Sequence, residues 1–112
     1  MIYGVVMPSI WYDGRMQKLS GDEIQEYLGR VKGWRVDEGT LKKDFGFKGF
    51  STAFEFMNRL VPVAEKLDHH PDWSNSFNKV SISLLTHDAR GLTKKDFIFA
   101  QAADDIAEKL QA

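Results

Sequence analysis

The run Val80-Ser81-Ile82-Ser83-Leu84, in which apolar and small polar residues alternate without a break, constrains this chain most. Successive side chains of a strand point to opposite faces, so Val80, Ile82 and Leu84 share one packed face while the serines share the other. Such a strand needs neighbours beside it and a layer against its apolar side. Helical patterns elsewhere in the chain supply that layer. Ser20-Gly21-Asp22-Glu23 has the S-x-x-E form of a capping box, and Ile24, Tyr27, Leu28 and Val31 follow at helical spacing until Gly33. A second helix is expected from near Ser51 to about Leu67, with Ala53, Met57, Leu60, Val61, Ala64 and Leu67 as its buried stripe. Pro62, which has no N–H, should bend it. A third helix follows Thr93 and carries Phe97, Ile98, Ala102, Ile106 and Leu110. Residues 34–36 and 41–47 read as strands, joined through Glu38-Gly39-Thr40 as a hairpin. The order predicts an α+β domain: an antiparallel sheet with helices on one face.

A chain of 112 residues is long enough for one core. Residues 1–18 read as an apolar N-terminal extension packed on the domain or on a neighbouring subunit, and residues 19–112 as the domain itself. The extension lacks the basic start of a secretory signal, its first basic residue being Arg15, and Pro8 interrupts it. It is also shorter than the roughly 20 residues that cross a bilayer, so no membrane association is expected. Fifteen basic against sixteen acidic residues, with no long block of one sign, argue against direct nucleic-acid binding. The absence of cysteine removes disulfides, thiolate catalysis and cysteine-ligated metals, and fits a cytoplasmic protein.

All three histidines, His69, His70 and His87, fall within nineteen residues. Imidazole titrates nearest neutrality, and a cluster of imidazoles with acids interleaved reads as one proton-handling site. Glu65 and His69 are four apart, a spacing that shares a helix face. Pro71 disfavours the helical region for His70, so the helix should end there and the adjacent imidazoles diverge. A single histidine in this position would read as a helix-end cation. A pair followed by Pro-x-Trp, with a third at a strand end, reads as a site. Metal binding is disfavoured, because helical ligand pairs stand at i, i+4 rather than side by side. No Ser-His-Asp arrangement or glycine-rich phosphate loop is legible. Trp73 and Phe77 read first as core or subunit contacts, with Trp73 also suited to wall a flat heteroaromatic ligand. Thr93-Lys94-Lys95-Asp96 has the T-x-x-D form of a helix start, so Asp96 reads as a capping acid rather than a catalytic one.

Glu65-x-x-x-His69-His70-Pro71-x-Trp73-x-x-x-Phe77, then Val80-x-Ile82-x-Leu84-x-Thr86-His87, then Gly91-Leu92-Thr93-x-x-Asp96, resembles the pterin-4a-carbinolamine dehydratases. Gly33-Trp34 and Phe45-x-Phe47-x-x-Phe50 fit as well, so the resemblance runs from about Leu19 to the C-terminus. Phe77 departs from the tyrosine of many members, and Lys95 from the arginine of animal members. The resemblance implies a four-stranded antiparallel sheet with three helices on one side, assembled as a homodimer or homotetramer. It implies dehydration of 4a-hydroxytetrahydrobiopterin to the quinonoid dihydropterin, which recycles the cofactor of aromatic amino-acid hydroxylases. It implies His69, His70 and His87 as the catalytic imidazoles. Asp68, Leu85, Thr86 and Asp88 would touch the pterin, with Glu65 and Trp73 at the border of its pocket. Imidazole acid–base chemistry needs neither metal nor organic cofactor. Animal members also bind a homeodomain transcription factor as a dimerisation cofactor, so a binding module with little catalysis is the alternative.

Overall fold

The computed structural model describes residues 17–111; residues 1–16, which make up nearly all of the expected apolar extension, and residue 112 lie outside the described residues. The element order is α1 (Gly21–Leu28), β1 (Arg35–Asp37), β2 (Thr40–Gly46), α2 (Phe50–Leu67), β3 (Asp72–Ser76), β4 (Lys79–Leu84), a short 3₁₀ turn (His87–Ala89) and α3 (Lys94–Gln111). The alternating strand is β4, and it lies inside a fully antiparallel four-stranded sheet of order β1-β2-β4-β3. Register explains the packed face. Leu84, Ile82 and Val80 pair with Leu41, Lys43 and Phe45 of β2, and Ile82 and Val80 pair with Trp73 and Asn75 of β3. The three helices cover that face, as the α+β pattern requires. Ser81 and Ser83 face the other way beside Lys42, Asp44, Asp72 and Ser74. Among the described residues, no helix is long and apolar enough to cross a membrane.

The first helix starts as its sequence demands. The Glu23 backbone N–H donates to the Ser20 hydroxyl, and the Ser20 N–H donates to Glu23 Oε1 at 2.8 Å, closing the capping box. The Ser20 backbone N–H, then its hydroxyl, hold the Glu23 carboxyl below its ordinary range. A depressed folded-state pKa contributes stability at pH above the unfolded value, and that contribution disappears as pH falls through the folded one. Helical 13Cα shifts over residues 21–28 should therefore decay on acidification within the carboxylate range, and Glu23→Gln, which removes the titrating group, should abolish that dependence. The regular helix stops at Leu28, short of Gly33, yet bonds of i→i−3 type carry the winding through Arg30 and Val31.

Helix α2 runs unbroken through Pro62, and its buried stripe is Ala53, Phe56, Leu60, Val63, Ala64 and Leu67. The expected stripe was out of phase at two places: Val61 is exposed and Met57 is only partly buried. Apolar side chains occupy most of this helix's circumference, Phe50 and Phe54 included, so periodicity alone does not settle which arc faces the sheet. Helix α3 is tied to the sheet by Asp104, which accepts from Trp34 Nε1 at 2.9 Å and from Lys43 Nζ at 2.8 Å.

The two hairpins turn differently. Glu38 and Gly39 both have positive φ, the requirement of a two-residue type I′ turn, which glycine meets without strain. In the β3–β4 turn it is Phe77 that takes φ 51°, with 68% of its surface exposed. Of the two expected readings, core or subunit contact, this removes the core one. An aromatic side chain in the left-handed region is strained and here gains no packing in return. Phe77→Gly should raise the stability of the monomeric unit by ~0.5–1 kcal/mol in chemical denaturation.

Candidate active site

Helix α2 ends at Leu67 because Asp68 turns left-handed, at φ 49° and ψ 49°. The backbone N–H groups of Asp68 and His69 then fold back onto α2 carbonyls, His69 N–H donating to Ala64 O at 2.9 Å. The reversal sends consecutive imidazoles to opposite environments. His69 is buried at 7% exposure, while His70 stands in solvent. Pro71 lies three residues beyond this stop, so the αL residue and not the proline terminates the helix. It also undoes the expected Glu65–His69 pair: Glu65 Oε2 lies 3.3 Å from His70 Nε2 instead.

The partner of His69 is Asp96, twenty-seven positions away, with 2.6 Å between Nε2 and Oδ1. Asp96 sits in the first turn of α3 and is fully buried. Its Oδ2 accepts from the Thr93 backbone N–H at 2.9 Å and from the Thr86 hydroxyl at 2.8 Å. The Thr86 and Thr93 hydroxyls are 2.7 Å apart. Asp96 thus caps the helix, as its T-x-x-D setting implies, and also joins the two histidine-bearing segments through one carboxylate. Pattern reading saw the cap and missed the second role, since no local spacing links residues this far apart.

Thr86 is pinned further by a bridge to Gly91, which closes the loop that contains the 3₁₀ turn. Its hydroxyl is spent inside the protein. His87, directly after it, is exposed and opens that turn rather than ending the strand; Asp88 beside it is exposed too, and Leu85 is half-buried. The ladder between β3 and β4 begins with Asp72 opposite Ser83. Residues 69–71 therefore enter, and residues 84–87 leave, at the same end of this strand pair. Trp73 is half-buried against the core at the second rung, opposite Ile82, and Asp68 is exposed at the helix end. Among the described residues, no group of three or more His, Asp or Glu side chains is arranged to hold a metal ion. The result is one shielded imidazole held by a carboxylate, with the segments of two exposed imidazoles at the same end of the sheet. Such a set can move protons to and from a bound ligand.

Comparison with known proteins identifies the family of the chain. The family model described as pterin 4 alpha carbinolamine dehydratase matches residues 17–106. A Rhodospirillum rubrum protein named "Putative pterin-4-alpha-carbinolamine dehydratase" is 58% identical over 91 residues, which span 80% of this chain and 95% of that one. A Sinorhizobium medicae protein of the same name is 48% identical, over 84% of this chain and 91% of its own. The crystal structure of a transcriptional coactivator/pterin dehydratase from Brucella melitensis superposes with a TM-score of 0.79 at 40% identity, covering 81% of this chain and 99% of that one. With the family model covering most of its length and relatives of nearly equal extent, the chain belongs to the pterin-4α-carbinolamine dehydratase family.

Proposed function

We propose that this protein is a hydro-lyase that dehydrates 4a-hydroxytetrahydrobiopterin to the quinonoid dihydropterin and so returns the oxidised cofactor to its recycling path. The observation that carries the reading is the buried His69–Asp96 pair, tied through Thr86 to the segment of His87. In the reaction a base takes the proton from N5, the C4a–O bond breaks, C4a=N5 forms, and an acid protonates the departing hydroxyl to water. His69, His70 and His87 supply the acid and base, each such transfer contributing ~10²–10⁴-fold. Glu65 acts on His70, which it already faces. Asp68, Leu85, Thr86 and Asp88 contact the pterin and Trp73 borders its pocket, with the Thr86 hydroxyl also holding the loop in place. The residues invoked need no metal or organic cofactor. The test follows 4a-hydroxytetrahydropterin breakdown against the spontaneous rate. A protein that does not beat the uncatalysed reaction ends the enzyme reading.

The functional unit is proposed to be a homodimer or homotetramer in the cytoplasm. Both sheet edges, β1 and β3, are without a neighbouring strand among the described residues, and Phe50, Phe54, Val61 and Phe77 are exposed. Sedimentation should show an oligomer at micromolar concentration; a stable monomer refutes it. The same exposed aromatics, together with the coactivator name of the Brucella relative, favour the second reading, a protein-binding module with little catalysis.

A further inference from the structure

We infer that the pterin site is shared between two copies of this chain: β3 pairs antiparallel with the β3 of a second copy, and Phe77 of each protomer walls the pterin pocket of the other. The inference deepens the proposed function and rests on it for the identity of the ligand. It starts from the backbone of the edge strand. The Phe47 N–H donates to Asn78 O at 2.9 Å, so Asn78 and, by alternation, Val80 and Ile82 turn their backbone groups toward β2. Lys79, Ser81 and Ser83 therefore bond to Ser76, Ser74 and Asp72 of β3. Trp73 and Asn75 are left with N–H and C=O groups that point away from the sheet. The opposite edge offers less, because β1 turns only Val36 outward beside its two-residue hairpin. Two copies of β3 about a two-fold axis must set outward residues against outward residues. With Trp73 on the axis, Asn75 would meet the partner's Pro71, which has no N–H. With Asn75 on the axis, Trp73 would meet the partner's Phe77, whose carbonyl already accepts from the Asn75 side chain and whose φ of 51° is not that of a strand. With Ser74 on the axis, Trp73 meets the partner's Asn75, and every outward N–H finds a C=O.

That register carries Phe77 to the other copy's site. Phe77 stands as far past the axis as Pro71 stands before it, so it lies opposite the partner's Pro71 and diagonal to the partner's Trp73, within reach of an aromatic side chain. Pro71 directly follows the exposed His70, and Trp73 packs on the helix-covered side of the sheet. Within one protomer the same ring is remote from the site, since six residues of extended chain put Phe77 roughly 20 Å from its own Pro71. The second copy also accounts for the strain at this turn. An aromatic held at φ 51° with 68% of its surface exposed gains nothing from its own chain, whereas one presented to a neighbouring subunit does. A flat heteroaromatic ligand beside the exposed imidazoles then meets Trp73 of its own protomer and Phe77 of the other.

Two substitutions test this. The chain has no cysteine and Ser74 is exposed, so Ser74→Cys in oxidised glutathione should give a symmetric disulfide-linked dimer. A non-hydrogen-bonded pair on the axis, with Cα atoms about 4.5 Å apart, suits that bond. In the tethered dimer, Phe77→Gly should weaken the binding of dihydrobiopterin, read by pterin fluorescence, by roughly 3–10-fold. The same change relieves the turn, so affinity falls while stability rises, which a purely structural role for the ring does not produce. Phe77→Tyr keeps the ring and should bind as the wild type does. A folded Ser74→Cys protein that forms no dimer disulfide overturns the inference and leaves the edge to another occupant. So does a tethered Phe77→Gly dimer with wild-type affinity. Neither result touches the dehydratase reading, which fails instead on a wild type that binds the pterin without beating the uncatalysed dehydration. A wild type that binds no pterin overturns both.

Discussion

Alanine at His69, His70 or His87 should lower dehydratase turnover by at least ~10²-fold for each imidazole that transfers a proton. The three variants should not behave alike in stability. His70 and His87 are exposed, and their loss leaves no buried group without a partner. His69 is packed into the domain, and its removal takes a hydrogen-bond partner from a buried carboxyl group. Single-turnover rates measured well below each variant's Tm separate the two effects. If all three variants turn over at the wild-type rate, histidine acid–base chemistry is refuted.

The second large effect is expected at Asp96. As a capping acid alone, Asp96→Ala would cost ~0.5–2 kcal/mol. The structure raises that figure, because His69 Nε2, the Thr86 hydroxyl and the Thr93 N–H all converge on a carboxylate with no exposure. Removing one partner from a buried charged network typically costs ~3–5 kcal/mol, since the remaining donors stay buried and unpaired. Chemical denaturation of Asp96→Ala should show a loss of that size. A loss within the capping range would mean that water or rearrangement replaces the carboxylate.

The contrast between the two estimates marks what was legible in the sequence. Period-two alternation in β4 and the Ser20–Glu23 box are local patterns, and each describes its element correctly; the spacing in α3 found the helix but left out the fully buried Phe99 and took in Ile98 and Leu110, which are only partly buried. Residue types also nominated His69, His70 and His87 as candidates, and the motif identified the family. The Glu65–His70 contact was not legible, because it depends on Asp68 entering a left-handed conformation, which shifts the partner by one residue. Neither was His69–Asp96, which exists only once the end of α2 and the start of α3 are brought together. Val61 was expected in the buried stripe and is exposed for another reason, and the same reason keeps Phe77 out of the core. Apolar character shows that a side chain favours burial but not that the backbone can place it there.

The single carboxylate under Thr86, Thr93 and His69 has a thermal consequence. Many sites are built on parts that loosen before the whole molecule melts, so their heat inactivation precedes unfolding. Here the groups that hold His69 are the same groups that start α3, and Thr93 and Asp96 are as deeply buried as Phe56 and Phe99. Fraying of that first helical turn and loss of the held imidazole are one event. Activity on heating should then persist until the cooperative transition and vanish with it, leaving no temperature window in which a folded molecule is inactive.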